Sequence, residues 1–254
     1  MVTYHKSALK VAEVFFDDTA ERLAADVIRY QHRSLPVPNG RSTQLHTLWI
    51  DLTTNPDAIF AGMNADTRHK IRRAMKDTGV YEFSSAADAL WLADFFEFYD
   101  RFAESKKLPP ANRMRLNAMR QEGILDLSRM RDEDGTVLVW HAHVRGANRV
   151  RLLHSASIFR EFNKEAANRI SRINRLHHWS DIQRFRQSGL PTYDFGGWYA
   201  GAEDTAKLRI NDFKRGFGGV IVEQYCADCP GSWKGAAALG LRQAYRRLRG
   251  VEEE

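Results

Sequence analysis

The stretch Tyr193-Asp194-Phe195-Gly196-Gly197, followed by Ile210-Asn211-Asp212-Phe213-Lys214-Arg215-Gly216-Phe217-Gly218-Gly219, decides the reading of this chain. A short apolar strand runs into paired glycines. A helical segment follows and delivers Lys214 to a second glycine pair. Glycines let a backbone approach a substrate closely or adopt positive φ, and a lysine beside such a turn can hold an oxyanion or a phosphate. Any chemistry in this chain is expected here.

The chain has 254 residues, enough for one large or two small domains, and its 43% hydrophobic content is that of an ordinary globular protein. The net charge of +6 favours an anionic partner such as RNA, DNA, a phosphorylated small molecule or an anionic surface. A merely solubilising charge is the plainer alternative. The two cysteines, Cys226 and Cys229, form a lone Cys-x-x-Cys. Zinc needs four ligands, so no metal is expected and two free thiols on a hairpin are. Met1–Lys10 carries no apolar signal core and no run is long enough to span a bilayer, which points to a cytoplasmic protein without stable membrane insertion.

Periodicity predicts one or two amphipathic helices over Ser7–Arg33, with Val11, Val14, Phe15, Leu23, Val27 and Ile28 as the apolar stripe. Leu45–Leu52 reads as a strand, and Asn55-Pro56 opens a helix. A second helix is expected over Ala65–Thr78, stopping at Gly79. From Val80 the order is strand, two helices, three strands joined by hairpins at Asp134-Gly135 and Gly146-Ala147-Asn148, helix, strand, helix, strand. This is an α/β chain of the α+β type, a mixed sheet with helices on its faces. It divides into an N-terminal helical segment, 1–79, and a larger domain, 80–254, closed by a basic helix with Arg242, Arg246, Arg247 and Arg249.

On the helix Ala65–Thr78, the residues Arg68, Arg72, Arg73 and Lys76 share a face suited to a phosphate backbone, with Ile71, Ala74 and Met75 inward. A solvated polar face is the alternative. The helix Asn163–Gln187 carries Asn174, His177, His178 and Trp179. Adjacent histidines are not expected to face one site, and Trp179 with Ile182 and Phe185 reads as core. No G-x-S-x-G, phosphate-loop or G-x-G-x-x-G motif occurs. Direct transfer, in which the protein positions reactants and stabilises charge, is left.

Taken in order, Leu48-Trp49-Ile50-Asp51-Leu52, Arg68-x-x-x-Ile71-Arg72-x-Ala74, Asn174 to Trp179, YDFGG and FKRGFGG resemble the Fem-type aminoacyltransferases. These are bacterial enzymes with the GNAT acyltransferase fold, which move an amino acid from aminoacyl-tRNA to an amine, usually on a peptidoglycan precursor peptide. The resemblance covers residues 45–225, and only the two glycine motifs are specific. It implies a GNAT-like fold over the larger domain, with residues 1–79 as the remnant of a first lobe. Because the family's acceptor site draws on that lobe, a peptide or small-molecule amine, as in natural-product or antibiotic assembly, is as fitting an acceptor as a cell-wall precursor.

The resemblance further implies that Lys214 stabilises the tetrahedral intermediate, with Phe213 its aromatic neighbour. Gly196, Gly197, Arg215, Asn174 and Trp179 join Phe213 as substrate-binding residues, and Arg68, Arg72, Arg73 and Lys76 as tRNA-binding ones. Asp194 is expected either to take a proton from the incoming ammonium or to cap the glycine turn. No cofactor is expected, aminoacyl-tRNA being a co-substrate. Two other readings stay open. One is an N-acyltransferase using acyl-CoA or another thioester, although the [RQ]-x-x-G-x-[GA] turn of acetyl-CoA binders is missing. The other is a noncatalytic RNA-binding protein.

Overall fold

A computed structural model describes residues 1–18, 23–38, 42–77, 79–158 and 164–249. The elements run β1 (Val2–Lys6), β2 (Leu9–Phe15), β3 (Val27–Arg33), β4 (Ser42–Asp51), α1 (Pro56–Gly62), α2 (Ala65–Ala74) and β5 (Val80–Ser84). They continue with α3 (Ala89–Lys106), α4 (Arg113–Gln121), β6 (Leu125–Arg131), β7 (Val137–Arg145), β8 (Val150–Ser157) and α5 (Lys164–Gln187). The chain closes with β9 (Thr192–Trp198), α6 (Thr205–Arg215), β10 (Val220–Pro230) and α7 (Trp233–Arg249).

The ten strands among the described residues form one mixed sheet in the order β1-β2-β3-β10-β4-β9-β8-β7-β6-β5, so the sheet includes strands from both sides of residue 79. Pairing is antiparallel except at β2/β3 and β8/β9. Alternation along β7 shows how the two faces are used. Trp140, Ala142 and Val144 join Phe95, Phe98 and Tyr99 of α3 and Leu116 and Met119 of α4 in one core. His141 and His143 point the other way, toward α5. On that second face Leu48 and Ile50 of β4 and Tyr193 and Phe195 of β9 pack against Trp179, Ile182 and Phe185 of α5.

From Val80 onward the expected elements form within a few residues of their expected bounds. The N-terminus does not follow expectation: residues 7–33 contain no helix among those described, and Leu9–Phe15 and Val27–Arg33 are strands. The spacing of Val11, Val14 and Phe15 fits a helix face, yet every residue from Val11 to Phe15 is buried. A short, β-branched run buried on both sides satisfies strand and helix templates alike, and the partner strands decide between them. Here β1 supplies Val2↔Glu13 through Lys6↔Leu9, and β3 supplies Val11↔Val27. Met75 also departs from expectation; it is 55% exposed, because α2 ends one residue before it. Cys226 and Cys229 lie within β10, both free and half-buried, rather than on a hairpin.

Gly219 locks the end of the α6–β10 connection. Its φ is +87°, and a Cβ there would lie 2.3 Å from the Trp49 carbonyl oxygen. The change Gly219→Ala is therefore expected to destabilise the chain by more than ~1 kcal/mol, a drop in Tm of more than ~2 °C by thermal denaturation. An unchanged melting temperature would contradict this.

Candidate active site

Strands β8 and β9 run parallel but pair at only two positions, Val150↔Tyr193 and Arg151↔Asp194. A register shift on β8 between the partners of Ala142 and His143 leaves Leu153 as an extra residue. A second on β9, between the partners of Thr47 and Trp49, leaves Phe195 and Gly196 opposite Leu48. Bulges bend strands and end pairing, and beyond them a cleft of about 390 Å³ opens. Leu152, Leu153 and Ser155 of β8 form one wall and Phe195, Gly196 and Gly197 of β9 the other. Gln31 and His32 of β3, Arg115 of α4, Arg151 and Lys214 complete it. The N-terminal strands thus contribute directly to the site.

Two contacts set Lys214 in this cleft. Asp204 caps α6 by accepting from the Ala206 and Lys207 amides at 3.0 Å each. One turn before Lys214, the buried Asn211 amide donates to the Tyr199 carbonyl at 2.7 Å and accepts from the Tyr199 amide at 3.1 Å. These bonds tie α6 to the end of β9, and the Lys214 ammonium donates to the Gly197 carbonyl. Gly196 has φ +84°, and a Cβ on it would crowd the Leu152 carbonyl at 3.3 Å, 3.9 Å from Lys214 Nζ. Burial, then the neighbouring Arg151 guanidinium, push the Lys214 pKa down to about 8. At neutral pH it is an ammonium with protons to donate.

Asp194 lies behind the cleft with no exposed surface. Arg151 Nη1 donates to its two oxygens at 2.8 and 2.7 Å, and the Gly196 amide donates to Oδ1 at 2.8 Å. The Thr47 hydroxyl lies against the same oxygen, 2.9 Å from the Gly196 carbonyl. Burial alone would raise this carboxyl; Arg151 and Thr47 outweigh it and hold it ionised, below its ordinary value. The contacts are those of a turn-capping, arginine-positioning carboxylate. Arg151 escaped the sequence reading, as did the wall from β3. The available signal was Arg149-Val150-Arg151, two arginines alternating with an apolar residue at the mouth of a buried strand.

The remaining candidates are placed as follows. Gly196, Gly197 and Lys214 meet in the cleft. Phe213 packs on His178 and Phe217, with the Arg175 guanidinium carbon 4.9 Å from its ring centre. Arg215 is exposed and stacks on Trp198. Asn174 faces His141, and Trp179 lies in the core against Phe60, so neither reaches the cleft. Arg68 caps α1, donating to the Ala61 carbonyl at 2.9 Å and to that of Met63. Arg72 and Arg73 are exposed on α2, and Lys76 is exposed in the turn just after it. The residue that caps that helix, Asn64, donates its amide to the Gly216 carbonyl at 3.0 Å, so α2 starts beside the end of α6. On α7, Arg242 bridges Asp228 at 2.6 Å; the side chains of Arg246, Arg247 and Arg249 are outside the described set.

His177 and His178 correct an expectation, since both stack on His141, with ring centres 3.8 and 4.1 Å away. Their side chains diverge by about 100° on the helix, and the His141 ring fills the space between them. His141, His177 and Asp181 bring three potential ligand atoms within 4.8 Å of one another. The His141 and His177 planes are parallel to within 5°. Imidazole lone pairs lie in the ring plane, so one ion cannot meet both. The cluster is instead hydrogen-bonded: His141 Nδ1 lies 2.6 Å from Asp181, the Tyr81 hydroxyl donates to Asp181 at 2.9 Å, and His177 Nε2 lies 2.9 Å from the Ser128 hydroxyl.

No protein-family profile matches the chain, and no curated protein matches it. Solved structures do. FemX aligns with a TM-score of 0.58 at 16% identity, over 71% of this chain and 61% of its own. This chain thus spans about three-fifths of that protein's length. L-PGS from Bacillus licheniformis aligns at 0.55 and 11% identity, over 94% and 88%. The C-terminal domain of a putative lysylphosphatidylglycerol synthetase from Agrobacterium fabrum aligns at 0.54 and 12%, over 86% and 72%. The chain shares the GNAT-like mixed α+β fold of these proteins, and the Fem-type resemblance of its motifs is met at the level of fold. Among the described residues no helix is long and apolar enough to cross a membrane.

Burial holds His143 down to about 4 and His177 and His178 well below the ordinary histidine value. Burial would raise Asp181, but His177 and His143 hold it well below the usual carboxylate range. Each group binds fewer protons folded than unfolded, so unfolding takes up protons below about pH 6.5. The cluster's contribution is complete above that pH and is lost as pH falls through 6 and 5. Thermal melts are expected to show Tm falling from pH 7 to 5, less steeply in His143→Asn. A Tm that rises over that interval would contradict this.

Proposed function

We propose that this chain transfers the aminoacyl group of aminoacyl-tRNA to an amine, forming an amide. The observation that carries the reading is the Lys214 ammonium held against Gly197 in the opening between β8 and β9, with Arg151 beside it. A half-buried ammonium beside a buried guanidinium, next to exposed backbone, is suited to the charge that develops on a carbonyl oxygen during acyl transfer.

In this reaction the acceptor amine attacks the ester carbonyl. The new C–N bond forms, and Lys214 donates to the oxyanion. The C–O bond to the ribose then breaks, and the amine's proton passes to the departing ribose oxygen. Asp194 holds Arg151 in place and takes no proton. Arg72, Arg73 and Lys76 receive tRNA phosphates, while Arg68 is committed to α1. The motif resemblance favours aminoacyl-tRNA over a thioester donor, and the exposed Arg72, Arg73 and Lys76 support it. The acceptor is a peptide or small-molecule amine, and the setting follows from which.

Incubation with radiolabelled aminoacyl-tRNAs and candidate amines, followed by product mass analysis, tests the reaction. Lys214→Ala is expected to lower kcat by about 10²–10³ with Tm unchanged. Full activity in that variant rejects the role of Lys214. Binding of tRNA is expected to weaken linearly in a log–log plot against salt, with a shallower slope in Arg72→Ala/Arg73→Ala. Salt-independent binding, or coenzyme A raising the Tm where tRNA does not, would contradict the donor assignment.

A further inference from the structure

A second cavity, of about 280 Å³, lies at the other end of the Arg149–Arg151 segment and shares no lining residue with the cleft. Its central feature is Arg149, only 5% exposed. The guanidinium carbon lies 4.2 Å from the Phe16 ring centre and 4.7 Å from that of Trp49, so the cation is sandwiched between two aromatic faces. Nη2 donates to the His32 carbonyl at 2.7 Å. Nη1 is buried and has no acceptor among the described residues, and the same holds for Trp49 Nε1.

Two buried N–H donors without acceptors, one of them charged, are costly unless a partner arrives. The clamp around them is built under strain. Phe16 and His32, the residues that cover the guanidinium and accept from it, have φ of +60° and +58°. Bulky residues avoid that region unless their surroundings impose it. Gly146 makes room for the Phe16 ring, since a Cβ there would come within 2.5 Å of it. Asp17 and Asp18 line the same cavity. The Asp17 carboxylate accepts from the Ser34 amide at 2.9 Å and its hydroxyl at 2.6 Å, which fixes it in place.

We propose that this cavity binds a free α-amino acid, with its carboxylate on Arg149 Nη1–H and Trp49 Nε1–H and its ammonium toward Asp17 and Asp18. A charged guanidinium N–H and an indole N–H can each donate to one oxygen of a carboxylate, and the acidic edge distinguishes a zwitterion from a simple anion. The aromatic walls and Pro191 leave an apolar surface for the side chain. The site is independent of what the cleft transfers.

The test uses the full chain with 15N-labelled tryptophan, the Trp49 indole signal being assigned through Trp49→Phe. Each of the twenty standard amino acids, acetate and methylamine is titrated to ~10 mM. At least one amino acid is expected to shift the Trp49 signal saturably, more tightly than either single-charge probe. Arg149→Gln weakens that binding about 10-fold or more, Asp18→Asn weakens it less, and Lys214→Ala leaves it unchanged. If Arg149→Gln does not fold, calorimetry on Trp49→Phe, which keeps an aromatic face and deletes only the donor, is expected to show a several-fold loss. No shift with any amino acid, acetate binding as tightly as the best of them, or unchanged affinity in both variants overturns the proposal.

Discussion

The Arg151 guanidinium on the buried Asp194 carboxylate is the contact on which the site depends. It joins β8 to β9 at the last position where the two strands still pair. Beyond it the backbones part, and the opening is what a substrate can enter. Separating either charge from the other would leave an ion with little water around it, a penalty of several kcal/mol that keeps the strands fastened at that point. The same contact aims a second cation toward Lys214, which lowers the lysine's affinity for its proton. Packing, strand geometry and electrostatics thus meet in one ion pair.

The two sheet faces divide the remaining work. The face under α3 and α4 is mostly apolar, with the buried Glu13 bonded to Tyr4 and Arg115, and the β1–β3 extension packs on it and supplies Gln31 and His32 to the cleft. The opposite face holds a polar cluster around Asp181 inside an otherwise apolar layer. Buried polar groups of this kind are costly to misplace, and His178 connects them by ring contacts to Phe195, Phe213 and Phe217 around α6. The cluster therefore supports the helix that carries Lys214 without touching the cleft.

Much of this was legible in the sequence, for identifiable reasons. Elements from Val80 onward carry their own punctuation: Asp88 caps α3, Asp134-Gly135 turns β6 into β7, and Asp204 caps α6. Lys214, Gly196 and Gly197 stand in contiguous motifs, so one short stretch brings them together. Leu9–Phe15 was misread because its strand character comes from partners far along the chain, and a seven-residue run cannot announce those. Arg151 was missed for a similar reason: its meaning lies in Asp194, 43 positions away. Asn174 and Trp179 looked like site residues through their place in a motif, but the rotation of α5 turns them inward.

Lys214 is half-buried beside a second cation and still carries its proton at neutral pH. NMR detection of the Lys214 side chain as a function of pH measures this directly, with Lys214→Arg identifying the signal. Titration is expected near pH 8, moving upward when Arg151→Gln removes the adjacent charge. A Lys214 that titrates at the ordinary lysine value of about 10.4, and is indifferent to the loss of Arg151, would contradict it.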